Sequence, residues 1–82
     1  EYKEELEKKA FEILHSIPSH LRGGRNPYIF AAATIYTADQ KLARETGKMY
    51  ILTQKIIAEI TKVAEYSIRD HFCSLLKPRI IQ

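Results

Sequence analysis

The chain has 82 residues, enough for one domain with one core, because a unit this short buries only about 60 to 70 % of its unfolded surface. With 45 % hydrophobic and 28 % charged residues it lies in the globular range, which argues against a disordered segment and against a membrane protein. The formal charge of +3 is unevenly placed: residues 1–12 hold five Glu and three Lys, a net of −2, while residues 13–82 hold ten Lys/Arg and five Asp/Glu, a net of +5. A basic bias toward the C-terminus is compatible with a polyanionic partner reached through phosphate contacts, and equally with a solvated basic face.

Cys73 is the single cysteine, so no internal disulfide can form, and no signal-peptide or transit pattern and no apolar run near the ~18 residues of a spanning helix is present. An intracellular, reducing setting is the expectation. The chain opens on Glu1 and enters a helical pattern at once, which reads as a domain excised from a larger protein.

Leu6, Ala10, Ile13, Leu14 and Ile17 mark one face of a first amphipathic helix, with Glu and Lys opposite and Pro18 at its end. Its acidic start, Glu4, Glu5 and Glu7, and its later Lys8 and Lys9 suit the helix dipole without any partner. Ser19 to Arg25, with Gly23-Gly24, reads as a loop. Asn26 then caps a second helix with Pro27 in its first position, since a residue before proline is pushed toward the extended geometry of a cap. The run from Ile29 to Ala38 is apolar or small on nearly every side and predicts a central, surrounded helix. It turns polar from Asp39 onward, and Gly47 suits the left-handed position beyond its end.

Residues 48–52 form a short connection, for which a strand is the alternative, although no second alternating run offers it a partner. Thr53 caps a brief third helix carrying Ile56, Ile57 and Ile60, and a fourth follows in which Ile68, Phe72 and Leu75 share a face before Pro78 ends it. The whole is expected to be all-α, with four helices and a helix-turn-helix at about residues 53–76, both of its helices turning apolar residues to the same interior. At about 100° per residue, Ile68, Phe72 and Leu75 fall within about 60° of one another, whereas Tyr66, Asp70 and Cys73 point away and Arg69 sits at the flank. Tyr66 and Arg69 are thereby placed one turn apart where a major groove would lie, and an Arg-to-guanine contact is worth roughly 1 to 3 kcal/mol of discrimination. The bland alternative makes Arg69 a surface cation and Tyr66 a half-buried ring.

The segments GRNPYIFAAATIYTADQ, TQKIIAEI and EYSIRDHF, in this order and spacing over residues 23–76, resemble the second cyclin-like repeat of the transcription initiation factor IIB family and its archaeal counterpart. The resemblance implies a cyclin-like helical bundle and a non-enzymatic role in transcription initiation. It implies that double-stranded promoter DNA is read beside the TATA element, in a complex with TATA-binding protein and RNA polymerase, in archaeal cytoplasm or a eukaryotic nucleus. By position Tyr66 and Arg69 align with base-reading residues, Ser67 with a small hydroxyl residue, and Thr53 and Gln54 with the start of the helix that crosses the phosphate backbone. Lys55 and Lys62 are the further candidates for phosphate.

The chain departs from the family pattern at Leu52, where Arg is frequent, at Ile56, where Glu completes a capping box, and at Lys62, where the turn often has Gly. Asp70, His71 and Cys73 replace amide or basic residues, and Ala64 replaces the hydroxyl cap of the reading helix. Such repeats have five helices against the four counted here, so an uncovered apolar patch is expected, open to self-association or to a neighbouring repeat.

His15, His20, His71 and Cys73 lack the spacing of a metal site, no phosphate-binding glycine loop follows a strand, and neither Cys73 nor any serine has an organised base. Neither an enzyme nor a cofactor is expected. The rivals to the DNA reading are a cyclin-like protein-interaction module and a free-standing regulator with a generic helix-turn-helix.

Overall fold

The computed structural model describes residues 2–22, 26–47 and 52–81, and among them the chain is all-helical, with five α-helices and a terminal π-helical segment. The second helix of the sequence reading is the third of the structure, α3 (Pro27–Thr46), and its boundaries follow from its ends. Asn26 is extended and its Oδ1 accepts from the backbone N–H groups of Tyr28 and Ile29 at 2.9 and 3.3 Å, Pro27 opens the helix, and Gly47 closes it at φ 73°. At about 30 Å long, α3 matches the longest dimension of the molecule, 33 Å.

The first helix, the last two helices and the terminal π-helical segment pack against α3. The first helix, α1 (Tyr2–Ser16), lays Ile13 and, just past its end, Ile17 into the core, with Leu6, Ala10 and Leu14 half-buried. Lys9 bridges from α1 to the end of α3, with Nζ at 3.0 and 3.2 Å from the two carboxylate oxygens of Glu45 and 3.5 Å from Glu12. The hydrogen bond to Glu45 holds the Lys9 pKa above its ordinary value, against the opposing effect of partial burial. On α3, Ala32, Ala33 and Ala38 are buried, and the buried hydroxyls of Thr34 and Thr37 donate to the carbonyls of Phe30 and Ala33, one turn back.

Several expectations are corrected. Ser19–Arg22, within the expected loop, forms a single helical turn, α2, in which Leu21 N–H donates to the Pro18 carbonyl and Leu21 packs against the core. Five helices therefore stand where four were counted, the extra one being too short to show a periodic pattern. Gly23 to Arg25 and residues 48–51, with the candidate strand over Met49 to Leu52 apart from Leu52 itself, lie outside the described residues. The central helix is not surrounded: Ala31 is exposed, and Ile29 and Ile35 are only half-buried. Asp39, expected to begin the polar end of α3, is fully buried.

Pro78 does not end the last helix. The helix α5 (Glu65–His71) continues as a π-helical segment over Phe72–Ile81 with Pro78 inside it. Wound at about 100° per residue, Phe72, Leu75, Leu76, Ile80 and Ile81 would spread over about 240°, interleaved with Cys73, Lys77 and Arg79. A π winding of about 82° per residue gathers those five apolar residues within about 130° and leaves Cys73, Ser74, Lys77, Pro78 and Arg79 to the other side. Burial follows this division: Phe72, Leu75 and Leu76 are buried, Ile80 and Ile81 pack against the core, and the other five are exposed. The wider turn also eases the clash of a proline ring with the carbonyl four residues back. Phe72 meets Tyr36 of α3 edge to face, with ring centroids 4.8 Å apart.

Candidate nucleic-acid interface

Two short helices, α4 (Gln54–Thr61) and α5, with the Thr53 cap before the first and the turn Lys62–Ala64 between them, carry all the residues that the sequence marks as candidates for DNA contact. Thr53 caps α4 as expected: its backbone is extended and its Oγ1 accepts from Ile56 N–H at 3.1 Å. One anchor ties the start of α4 to the scaffold, because the buried carboxylate of Asp39 accepts from the backbone N–H of Leu52 at 2.8 Å. Sequence reasoning missed this role. The signal was Asp39 sharing its helix face with Ala32, Ile35 and Leu42, at spacings of three and four, which makes it a carboxylate set in an apolar stripe.

Of the three isoleucines expected to face inward from α4, only Ile57 does so; Ile56 is partly exposed and Ile60 is 70 % exposed. An eight-residue helix on a larger body buries one narrow stripe, and Ile56 and Ile60 stand on its flank. The turn closes through Lys62, which adopts a left-handed conformation (φ 64°, ψ 23°) and donates its N–H to the Ala58 carbonyl at 2.9 Å. That conformation is the natural place of a glycine and is strained for lysine. Thr61 Oγ1 donates to the Ile57 carbonyl and accepts weakly from Val63 N–H at 3.4 Å.

Ala64 occupies the cap of α5 without any side-chain hydrogen bond, so two N–H groups, of Ser67 and Ile68, share its carbonyl instead. What holds α5 is Ile68, fully buried, with Phe72 below it. With that face fixed inward, Tyr66 is 68 % exposed and Arg69 is exposed beside it, one turn along. The two line a shallow depression with Ser67, Asp70, His71 and Cys73. Ser67 is half-buried, and its carbonyl lies 3.0 Å from His71 Nδ1, which donates to it when protonated there. Arg69 makes no ion pair among the described residues.

The candidate backbone contacts divide into two groups. Thr53, Gln54 and Lys55 sit at the N-terminal end of α4, whereas Lys62 sits at its other end, about 12 Å away along an eight-residue helix, beside the start of α5. Lys55 and Lys62 are exposed, Gln54 is half-buried, and the Thr53 hydroxyl keeps its own hydrogen for a further bond. Over residues 53–71, Lys55, Lys62 and Arg69 are matched by Glu59, Glu65 and Asp70, so this face is locally neutral. The basic surplus continues in the exposed Lys77 and Arg79 of the π segment.

Among the described residues no group of three or more His, Cys, Asp or Glu side chains is placed to hold a metal ion, and Cys73 is exposed on the outer face. No described helix is long and apolar enough to cross a membrane. Comparison with family models, with curated proteins and with solved structures returns no match. The class that fold and surface define is therefore a small all-helical domain presenting a short helix pair with an exposed Tyr–Arg face.

Proposed function

We propose that this domain is a DNA-binding module of a general transcription initiation factor, a divergent relative of the second cyclin-like repeat of factor IIB, with α4 and α5 acting as a helix-turn-helix. The observation that carries this reading is the pair Tyr66 and Arg69, exposed together on the outer face of α5 while Ile68 anchors its inner face. In the proposed docking α5 enters the major groove beside the TATA element, Arg69 takes a guanine edge and Tyr66 packs along neighbouring bases. Thr53, Gln54, Lys55, Ser67 and Lys62 meet phosphates and set the register. TATA-binding protein and RNA polymerase complete the assembly, in an archaeal cytoplasm or a nucleus. The protein works by positioning, with no chemistry and no cofactor.

The neutral charge balance of the face makes the electrostatic contribution small. With two lysines at phosphates, the slope of log affinity against log salt should be about −2, far shallower than that of a strongly basic reader. A fluorescence-anisotropy titration against a TATA-flanking duplex and a scrambled duplex, at two salt concentrations, tests the reading. Arg69→Ala should erase the preference between duplexes, and Lys62→Ala should weaken both alike. No preference in the parent chain would sink the base-reading role.

A second reading is favoured by Ile56 and Ile60, whose exposure on α4 suits a protein partner better than a phosphate backbone. In that case the chain is a cyclin-like interaction module, and it binds neither duplex.

A further inference from the structure

Asp70 stands at the centre of the outer face of α5, in the depression that Tyr66 and Arg69 also line. It lies two residues from each of the buried Ile68 and Phe72, and at about 100° per residue that sets it opposite their mean direction. Its side chain is exposed and makes no ion pair among the described residues. The positions three and four away, Tyr66, Ser67, Cys73 and Ser74, hold no cation that could pair with it along the helix. Aspartate is also a poor residue for a helix interior, so local stability does not account for it. An unpaired carboxylate thus occupies the middle of a surface read here as facing a polyanion.

We propose that Asp70 is itself a base-reading residue, its carboxylate accepting a hydrogen bond from the N4 amino group of a cytosine in the major groove. The inference rests on the DNA reading above and deepens it. With the Ile68 face held against the core, an α5 seated in the groove turns Asp70 toward the base edges, while the phosphates run along the groove walls to either side.

The chemistry of the groove floor selects the base. An ionised carboxylate is an acceptor only. Guanine O6 and N7 and thymine O4 are acceptors too and repel it, which leaves the amino groups of cytosine and adenine as the donors within reach. Adenine sets its N7 acceptor beside that amino group, against the second carboxylate oxygen, whereas cytosine sets a C–H edge there. Cytosine is therefore the base a carboxylate accepts best. Arg69 has the opposite preference, because a guanidinium is a donor only and takes guanine O6 and N7. Two adjacent residues thereby supply one donor and one acceptor, and Asp70 acts as much by rejecting guanine, thymine and adenine as by holding cytosine. Its charge also weakens the attraction to phosphate, in keeping with the locally neutral face.

A fluorescence-anisotropy panel with the 82-residue chain tests it, each base pair of the TATA-flanking duplex being replaced in turn by the other three. The parent should show one position at which replacing cytosine weakens binding about tenfold. Asp70→Asn, an exposed and nearly isosteric change, should leave the thermal melt in place and abolish that preference. Adenine should then be admitted at the position, since an amide pairs with adenine N6 and N7, while every other position keeps its ranking. A ranking unchanged everywhere in Asp70→Asn, even with a common rise in affinity, overturns the inference and makes Asp70 a simple repulsion. A parent without a cytosine-dependent position overturns it as well. If Arg69→Ala loses a guanine preference while Asp70→Asn ranks every base as the parent does, the DNA reading stands and this inference alone fails. A parent with no base preference at any position removes both.

Discussion

The central helix and the candidate reading helix differ in how they are specified. α3 is marked locally at both ends: an Asn26 cap with two hydrogen bonds, Pro27 in the first position and Gly47 in the left-handed position beyond its end. α5 carries none of them. Its cap is Ala64, the left-handed residue just before it is Lys62 rather than a glycine, and its seven α-helical residues pass directly into a wider winding. Local sequence marks both ends of α3, whereas α5, whose local support is Glu65 in its first turn and Arg69 and His71 in its last, depends on the core that holds its buried Ile68. Departures from local rules gather on surfaces under other demands, and here they gather on the face that carries Tyr66 and Arg69.

The sharpest way to break this contrast is to remove the packing on which α5 depends. Ile68→Ala should cost about 2 to 5 kcal/mol in a urea or thermal melt, the range of a buried isoleucine whose cavity cannot fully collapse. A loss below about 1 kcal/mol would mean that α5 is held by something other than its buried face. Next comes the tether of α4. Asp39→Ala leaves the Leu52 N–H without its carboxylate acceptor and should cost about 1.5 to 3 kcal/mol, the worth of a hydrogen bond to a charged group. Asp39→Asn keeps an acceptor and should cost less.

The caps make a matched pair of opposite sign. Asn26→Ala should destabilise by about 1 kcal/mol, and Ala64→Ser, which supplies the missing acceptor at α5, should stabilise by about as much, each a shift of about 4 to 8 °C in Tm for a domain of this size. If Ala64→Ser gains nothing, the shared Ala64 carbonyl and solvent already satisfy the first turn of α5.

These elements also mark how far the sequence could be read. The ends of α3, the Thr53 cap and the missing cap at Ala64 were legible because each depends on a residue and its immediate neighbours. The burial of Ile68, Phe72 and Leu75 was legible because a single periodicity at about 100° per residue describes them. Ile80 and Ile81 were not, since their place on the same face requires a change of winding that no wheel of fixed angle contains. Asp39 and Leu52 are thirteen residues apart, and only the return of the chain past α3 brings them together. Of the candidate interface, the exposure of Tyr66 and Arg69 followed from the wheel. The exposure of Ile56 and Ile60 did not, because which stripe of a short apolar helix turns inward is set by what it packs on.

The smallest effect separates stability from binding at a single residue. Lys62 holds φ 64°, where a side chain with a Cβ is disfavoured by roughly 1 to 2 kcal/mol relative to glycine, while a glycine gives back about 0.5 to 1 kcal/mol through the freedom of the unfolded chain. Lys62→Gly should therefore stabilise by a few tenths to about 1 kcal/mol. Lys62→Asn, which tolerates the left-handed region better than most residues, should gain less, and Lys62→Ala should gain nothing. All three remove the same charge. If Lys62 lies at a phosphate, the three variants should bind every duplex equally weakly, even though their melting temperatures rank Gly above Asn above Ala. A binding order that follows the melting order would mean that Lys62 acts on DNA only by holding the turn, and would move the phosphate contact elsewhere on the face.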